Sequence, residues 1–404
     1  MILRILKYTG LFVAYLIGFL LLVFTLKYIT CPVFDFEKEE PFSGDEIYNP
    51  YTGIENHKWW KGNFQVQSYA WAGITAGRRN SNDEIYDVYK KLGYDIIATS
   101  DYQRINRYHE GKPGYIPVYE HGYGIQKSHQ VLIGAKQVLW KDYPFFQTIH
   151  NKQHIINKLR EDNELIFLAH PKLRNGYSVE DMTILTGYTG IEVLNNFRTS
   201  TEHWDAALSA GNYVTILGND DAHDVSNPDE IGHHCTLISA PSIQQEDIIH
   251  ALKLGSAIGV KAWRPLGETM EDKVKRIGRL PRLLRAEIKN DTFYISTDSL
   301  IKETRFIGQE GQIRKIDKSA RSPFITFSAQ DKYIRTEIEF ANRITFYLNP
   351  VCRYDGSAPA TLPEPVVDHY RTRLLRIIGF ATLIFIGINV ILLKKRFRKR
   401  KQAE

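Results

Sequence analysis

The stretch Lys61-Gly62-Asn63-Phe64-Gln65-Val66-Gln67-Ser68 decides the fold. Read as a strand, it sends alternate side chains to one face, so Gln65 and Gln67 stand side by side. Taken alone, it is an ordinary strand with polar residues on its wet face. The residues that follow give the pair a second meaning.

Outward from this strand the chain alternates helix and strand. Ser81-Asn82-Asp83-Glu84 is a capping box, after which Ile85, Val88, Tyr89 and Leu92 share one helical face before Gly93 ends it. Residues 94–99 then form a short apolar run that ends in Ser100-Asp101. The unit recurs: a helix over 153–160 leads into a strand over 165–170, 178–185 into 190–195, and 202–210 into 213–218. A last capping pattern, Ser242 to Gln245, opens a helix that Gly255 closes. Continuous apolar strands between amphipathic helices predict an α/β fold with a helix-covered parallel sheet, and the number of repeats favours a barrel. Such a barrel builds its site at the C-terminal ends of its strands. Those ends carry Asp101, His170, Asn195, and Asp221 with His223.

Together these strand ends resemble the polymerase and histidinol phosphatase (PHP) family of metal-dependent phosphoesterases over about residues 59–262. The family's opening Gly-Asn-Leu-His-x-His is matched by Gly62-Asn63-Phe64-Gln65-Val66-Gln67, and its Thr-Asp-His by Ser100-Asp101-Tyr102. Its glycine-flanked Glu is expected at Ile133-Gly134-Ala135-Lys136. Ala169-His170-Pro171 and Gly218-Asn219-Asp220-Asp221-Ala222-His223 fit its later motifs closely. The resemblance implies a distorted PHP-type (β/α) barrel with up to three zinc, manganese or iron ions acting on a phosphate ester. It also implies that Gln65, Gln67, Tyr102 and Lys136 occupy ligand positions, where glutamine is a weak neutral donor. A lysine ammonium about 5 Å from a dication is repelled by about 7 kcal/mol at an effective dielectric near 20. His170, Asp221 and His223 persist as the candidate set for one divalent metal, with His129, His233 or His234 assisting. With no metal, Lys136 would balance Asp221 or Asp101 instead. The expectation is a former hydrolase serving as a binding or scaffold component of a membrane complex. The alternative is a phosphoesterase with one metal.

At 404 residues and 43% hydrophobic, the chain has room for a barrel and a smaller domain. The formal charge of +6 is concentrated in the tail, where Lys394, Lys395, Arg396, Arg398, Lys399, Arg400 and Lys401 cluster. Positive-inside anchoring accounts for that cluster without a nucleic-acid partner. Three scattered cysteines exclude a disulfide scaffold or a zinc ribbon. Residues 8–26 carry no charge, and residues 377–393 have Asn389 as their one strongly polar interruption; each run is long enough to cross a bilayer. The expected organisation is a transmembrane helix at 1–30, a linker at 31–58, the barrel at 59–265 and a small β-sandwich-like domain at 266–358. A linker at 359–372, a second transmembrane helix at 373–394 and a basic tail at 395–404 complete it. Both termini are placed in the cytoplasm of a bacterium, with the main domain periplasmic and a membrane protein as natural partner. Three further candidates read more simply as structure than as function: Asn195-Asn196 as a helix cap, Trp59-Trp60 as a wedge at the barrel bottom, and Arg78-Arg79 as a solvated loop.

Overall fold

The computed structural model describes residues 2–37, 40–74, 80–265, 267–356 and 358–403. Arg78 and Arg79 lie outside them. The fold is mixed α/β with an apolar helix at each end.

The opening strand, Lys58–Asn63, pairs in parallel with Ile96–Ile97 and antiparallel with His234–Ala240. Between the first two runs the helix Asn82–Lys91, held by the Ser81–Glu84 capping box. From His234–Ala240 the sheet continues through Ala257–Ala262 to Ile344–Tyr354, Tyr333–Phe340, Ile301–Ile307 and Ile313–Lys318. It holds nine strands, the ninth being Glu46–Tyr48 against Ile344–Tyr354. The expected boundary at 265/266 therefore falls inside one hydrogen-bonded sheet. The reason is that Ala257–Ala262 would otherwise leave an unpaired edge, which the buried run of Phe346, Leu348 and Val351 covers. Leu283–Lys289, Thr292–Thr297 and Phe324–Thr326 form a separate three-stranded sheet, and Phe34–Asp35 pairs with Val366–Val367 in a two-stranded one.

A second sheet runs Val118–His121, Gln130–Ala135, Asn163–Leu168, Gly190–Leu194, Thr215–Gly218. Its first two pairings are antiparallel and its last two parallel, so the expected all-parallel order holds for half of it. Among the described residues neither sheet closes on itself. Two isolated bridges bring them together, Val66 to Ala222 and Tyr102 to Glu120. Phe64, Ile96, Phe167, Leu217 and Ile238 pack as one core between the sheets.

The helix Ile2–Ile29 contains the 22-residue span Tyr8–Ile29, whose most apolar 18 residues have mean hydropathy 2.4, and the helix His369–Ala403 contains the 28-residue span His369–Arg396, whose most apolar 18 average 2.3. They lie antiparallel. Ile29 packs on Gly379 at one end, and Lys394 sits 5.4 Å from the Tyr15 ring at the other.

Candidate metal centre

The bridges between the sheets bring four chain segments to one buried point. Glu120 ends the strand Val118–His121, and the hairpin that follows returns His129 to its side: Glu120 Oε1 lies 2.5 Å from His129 Nδ1. Gly122 makes this possible. Its φ is +121°, and a Cβ there would come within 2.6 Å of the His129 ring. His170, just past the strand Asn163–Leu168, places Nε2 3.5 Å from the same Glu120 oxygen. One ligand atom from each of Glu120, His129 and His170 lies within 4.8 Å of the others, and all three residues are buried.

The second Glu120 oxygen accepts a hydrogen bond from Gln67 Nε2 at 2.7 Å. Gln67 is thus brought to the centre, but as a neutral donor to the carboxylate. Gln65 is fully buried, and neither its amide oxygen nor its nitrogen has a protein partner. Tyr102 covers the cluster, its ring 5.4 Å from that of His129.

Asp221 approaches from the other sheet edge. Its Oδ2 accepts from Asn195 Nδ2 at 3.1 Å, and its Oδ1 is buried without a partner. Both His170 (φ +30°) and Asp221 (φ +48°) hold left-handed backbones. Such strain costs about 1–3 kcal/mol and persists only where surrounding contacts over-determine it. Glu192 supplies those contacts. From the strand Gly190–Leu194 it accepts from the His170 backbone N–H and from the amides of Asn195 and Asn219.

Burial opposes a charge on His170, but the hydrogen bond to Glu120 and the charge of Asp221 outweigh it and raise the imidazole to about 9, so the cluster holds one positive charge of its own. Glu120, Glu192 and Asp221 are buried together, and no lysine or arginine pairs with them among the described residues. Burial, with Asp221 beside it, pushes the Glu192 carboxyl far above its usual range, and burial also raises Asp221 despite His223. Burial likewise opposes the Glu120 charge, but His129 and His170 outweigh it and keep the carboxyl ionised. The donor set fits a borderline divalent ion, which takes imidazole and carboxylate together. The unpartnered His129 Nε2, His170 Nδ1 and Asp221 Oδ1 leave further donor capacity buried at the same place.

The other sequence candidates fall elsewhere. His223 is at the rim, 24% exposed, with Nδ1 4.0 Å from Asp221 Oδ1. Asp101 is buried but spent on structure: it accepts from the Ser68 backbone and hydroxyl and from Asn106. Lys136 is a correction. It is 68% exposed and pairs with Glu164 at 3.0 Å, so it neither occupies a ligand position nor balances Asp221 or Asp101. His233 meets Lys273 Nζ at 2.9 Å, and with His234 it lines a separate groove edged by Lys172, Arg198, Lys261 and Arg264. Asn195 orients carboxylates instead of capping a helix, and Trp60 donates to the Ala240 carbonyl.

Two residues escaped the sequence reading. Glu120 was signalled by a charge inside an apolar strand two residues before Gly122. Glu192 was signalled the same way inside Gly190–Leu194.

No family model and no curated protein matches the chain. Among solved structures it is similar to a two-domain protein from Bacteroides vulgatus ATCC 8482 containing a predicted PHP-like metal-dependent phosphoesterase. The identity is 13%, over 82% of this chain and 98% of that one, with a TM-score of 0.37.

Proposed function

We propose that this chain is a membrane-anchored, PHP-like phosphoesterase with a single divalent cation on Glu120, His129 and His170. The observation that carries the proposal is the convergence of those three buried ligand atoms within 4.8 Å. The PHP reading comes from the motifs around Asp101, His170 and Asp221. The two isolated bridges support a distorted barrel in which both sheets share a wall.

A divalent cation held there supplies Lewis acidity toward a phosphoryl oxygen. The chain's own residues do the rest. Glu192 and Asn195 fix His170 and Asp221 in their strained backbones. His223, partly open to solvent, stands where a proton can pass between the pocket and water. The Gln67 amide donates to the second Glu120 oxygen, so that oxygen is already satisfied and the single cation would be held through the other.

The two apolar helices, with seven basic residues from Lys394 to Lys401 at the end of the second, support a two-pass anchor. By the positive-inside rule both termini are cytoplasmic and residues of about 31–372 lie outside. The same helices offer a surface to a protein partner within the membrane.

A second reading, binding without turnover, is favoured by the neutral amides of Gln65 and Gln67 at the expected ligand positions. The full chain, purified in detergent, separates the readings by elemental analysis and by phosphate release from a panel of mono- and diesters. Stoichiometric metal with release abolished by His129→Ala establishes the enzyme. Absence of metal refutes the enzyme, and absence of release, with or without metal, favours the binding module.

A further inference from the structure

The metal cluster lies beneath a groove of about 370 Å³ whose walls include Trp71, Tyr123, Lys127 and Trp140 and whose floor is Tyr102. Trp71 and Trp140 are 44% and 60% exposed and meet edge to face at 6.0 Å. Phe146, on the same loop as Phe145, is 75% exposed. Soluble surfaces rarely leave so many large aromatics together in water.

The groove is continuous with the N-terminal helix. Lys27, in the last turn of Ile2–Ile29, donates to the Tyr123 hydroxyl at 2.9 Å. Phe24 packs edge-on against Phe145 at 5.8 Å, and the Tyr28 hydroxyl accepts from the Phe145 backbone N–H. These three helix residues end the 22-residue apolar span. A helix that spans a bilayer puts its final turn at the headgroup boundary, where tryptophan, tyrosine and outward-reaching lysine concentrate. The groove wall is bonded to that turn and therefore opens at the same depth.

Charge fixes what enters. Lys127 Nζ lies 5.6 Å from the Tyr102 ring, and Lys27 stands at the opposite wall. Tyr102 in turn packs on His129. The path from bilayer to metal cluster is thus apolar at its mouth and cationic over its floor.

We propose that the groove takes a phosphorylated lipid from the adjoining leaflet, with its chains against Trp71 and Trp140 and its phosphate between Lys127 and Tyr102. The inference rests on the membrane anchor and on the metal-site reading given above. It narrows the phosphate ester to one drawn from the bilayer.

The test uses the full chain in phosphatidylcholine nanodiscs doped with either phosphatidic acid or phosphatidylcholine bearing brominated chains, which quench tryptophan on contact. Brominated phosphatidic acid is expected to quench at about fivefold lower mole fraction than brominated phosphatidylcholine, the preference one lysine near a membrane surface confers. The double variant Trp71→Phe, Trp140→Phe should lose the excess quenching, and Lys127→Ala should lose the preference while keeping the quenching. Equal quenching by both lipids in the unmodified chain, or quenching that survives the double variant, overturns the proposal. Metal content measured on the same discs separates the two readings. A lipid preference without metal would refute the metal site and leave the groove standing, and metal without a lipid preference would do the reverse.

Discussion

Replacing Gln67 with glutamate tests whether one carboxylate, Glu120, organises the centre. The Gln67 amide nitrogen sits 2.7 Å from Glu120 Oε2, so Gln67→Glu sets a second acid against the first in a site closed to water. Two full charges at that distance repel by about 6 kcal/mol at an effective dielectric near 20. The pair escapes part of this by holding one proton between them. Keeping a carboxyl of ordinary pKa near 4.3 protonated at pH 7 costs ~4 kcal/mol, which caps the loss. Metal-free protein in detergent with a chelator should therefore unfold at lower denaturant, with ~3–4 kcal/mol lost. The sign with pH follows from the raised folded pKa of an acid. The loss is complete above that pKa, and it vanishes as pH falls to the unfolded value, where both states hold the proton. Gln67→Met gives the contrast: it removes a charge-assisted hydrogen bond worth about 1.5–3 kcal/mol and should show no such pH dependence. Added zinc or manganese should stabilise Gln67→Glu more than the unmodified chain, because the cation then meets one more carboxylate. Equal losses for both variants at pH 7 and pH 5, or an unchanged response to metal, would refute the placement of Gln67 against Glu120.

The other expectations concern separate features of the fold. Gly122→Ala forces a Cβ into the His129 ring, and elemental analysis should show metal occupancy falling at least about tenfold, as for lost ligand support. Lys136→Met should shift stability by less than about 0.5 kcal/mol, since an exposed pair with Glu164 contributes little; a multi-kcal/mol loss in chemical unfolding would put Lys136 back in the pocket. Arg335 forks onto both Asp205 oxygens at 2.6 and 2.7 Å and keeps Glu337 at 2.6 Å on its other nitrogen, so Asp205→Ala removes one of two carboxylate partners and should cost about 1.5–3 kcal/mol by the same measurement. Burial, reinforced by Lys261 and Arg264, lowers His234 to about 3. Below pH 6.5 the unfolded imidazole takes a proton that the folded one refuses, so stability is full above 6.5 and falls by roughly 2–3 kcal/mol by pH 4.5. His234→Gln should flatten that part of the pH–stability curve.

How much of this was legible depended on where each residue's partners lie along the chain. The terminal helices needed only their own apolar runs, and the helix Asn82–Lys91 only Ser81 and Glu84. His170 and Asp221 were legible because they follow buried strands. Sheet partners were not. The pairing of Ala257–Ala262 with Ile344–Tyr354 spans more than eighty residues, and period-two alternation looks alike in every strand that satisfies it. Lys136 was misplaced because the motif was sought after the hairpin, whereas the hairpin register sets Glu120 opposite Val131 and brings back His129.

That misplacement changes what the glutamines mean. Taken with a lysine in the pocket, Gln65 and Gln67 read as parts of a general loss of ligands. With Glu120 in the pocket and Lys136 outside it, Gln67 and the two imidazoles lie on opposite sides of a single carboxylate. Oε1 faces His129 and His170, and Oε2 faces the amide of Gln67. Imidazole and carboxylate on the first side suit a cation, while the amide on the second satisfies the remaining oxygen without one. Gln67, four residues past the opening strand, therefore satisfies one oxygen of Glu120 and leaves the other facing the two imidazoles.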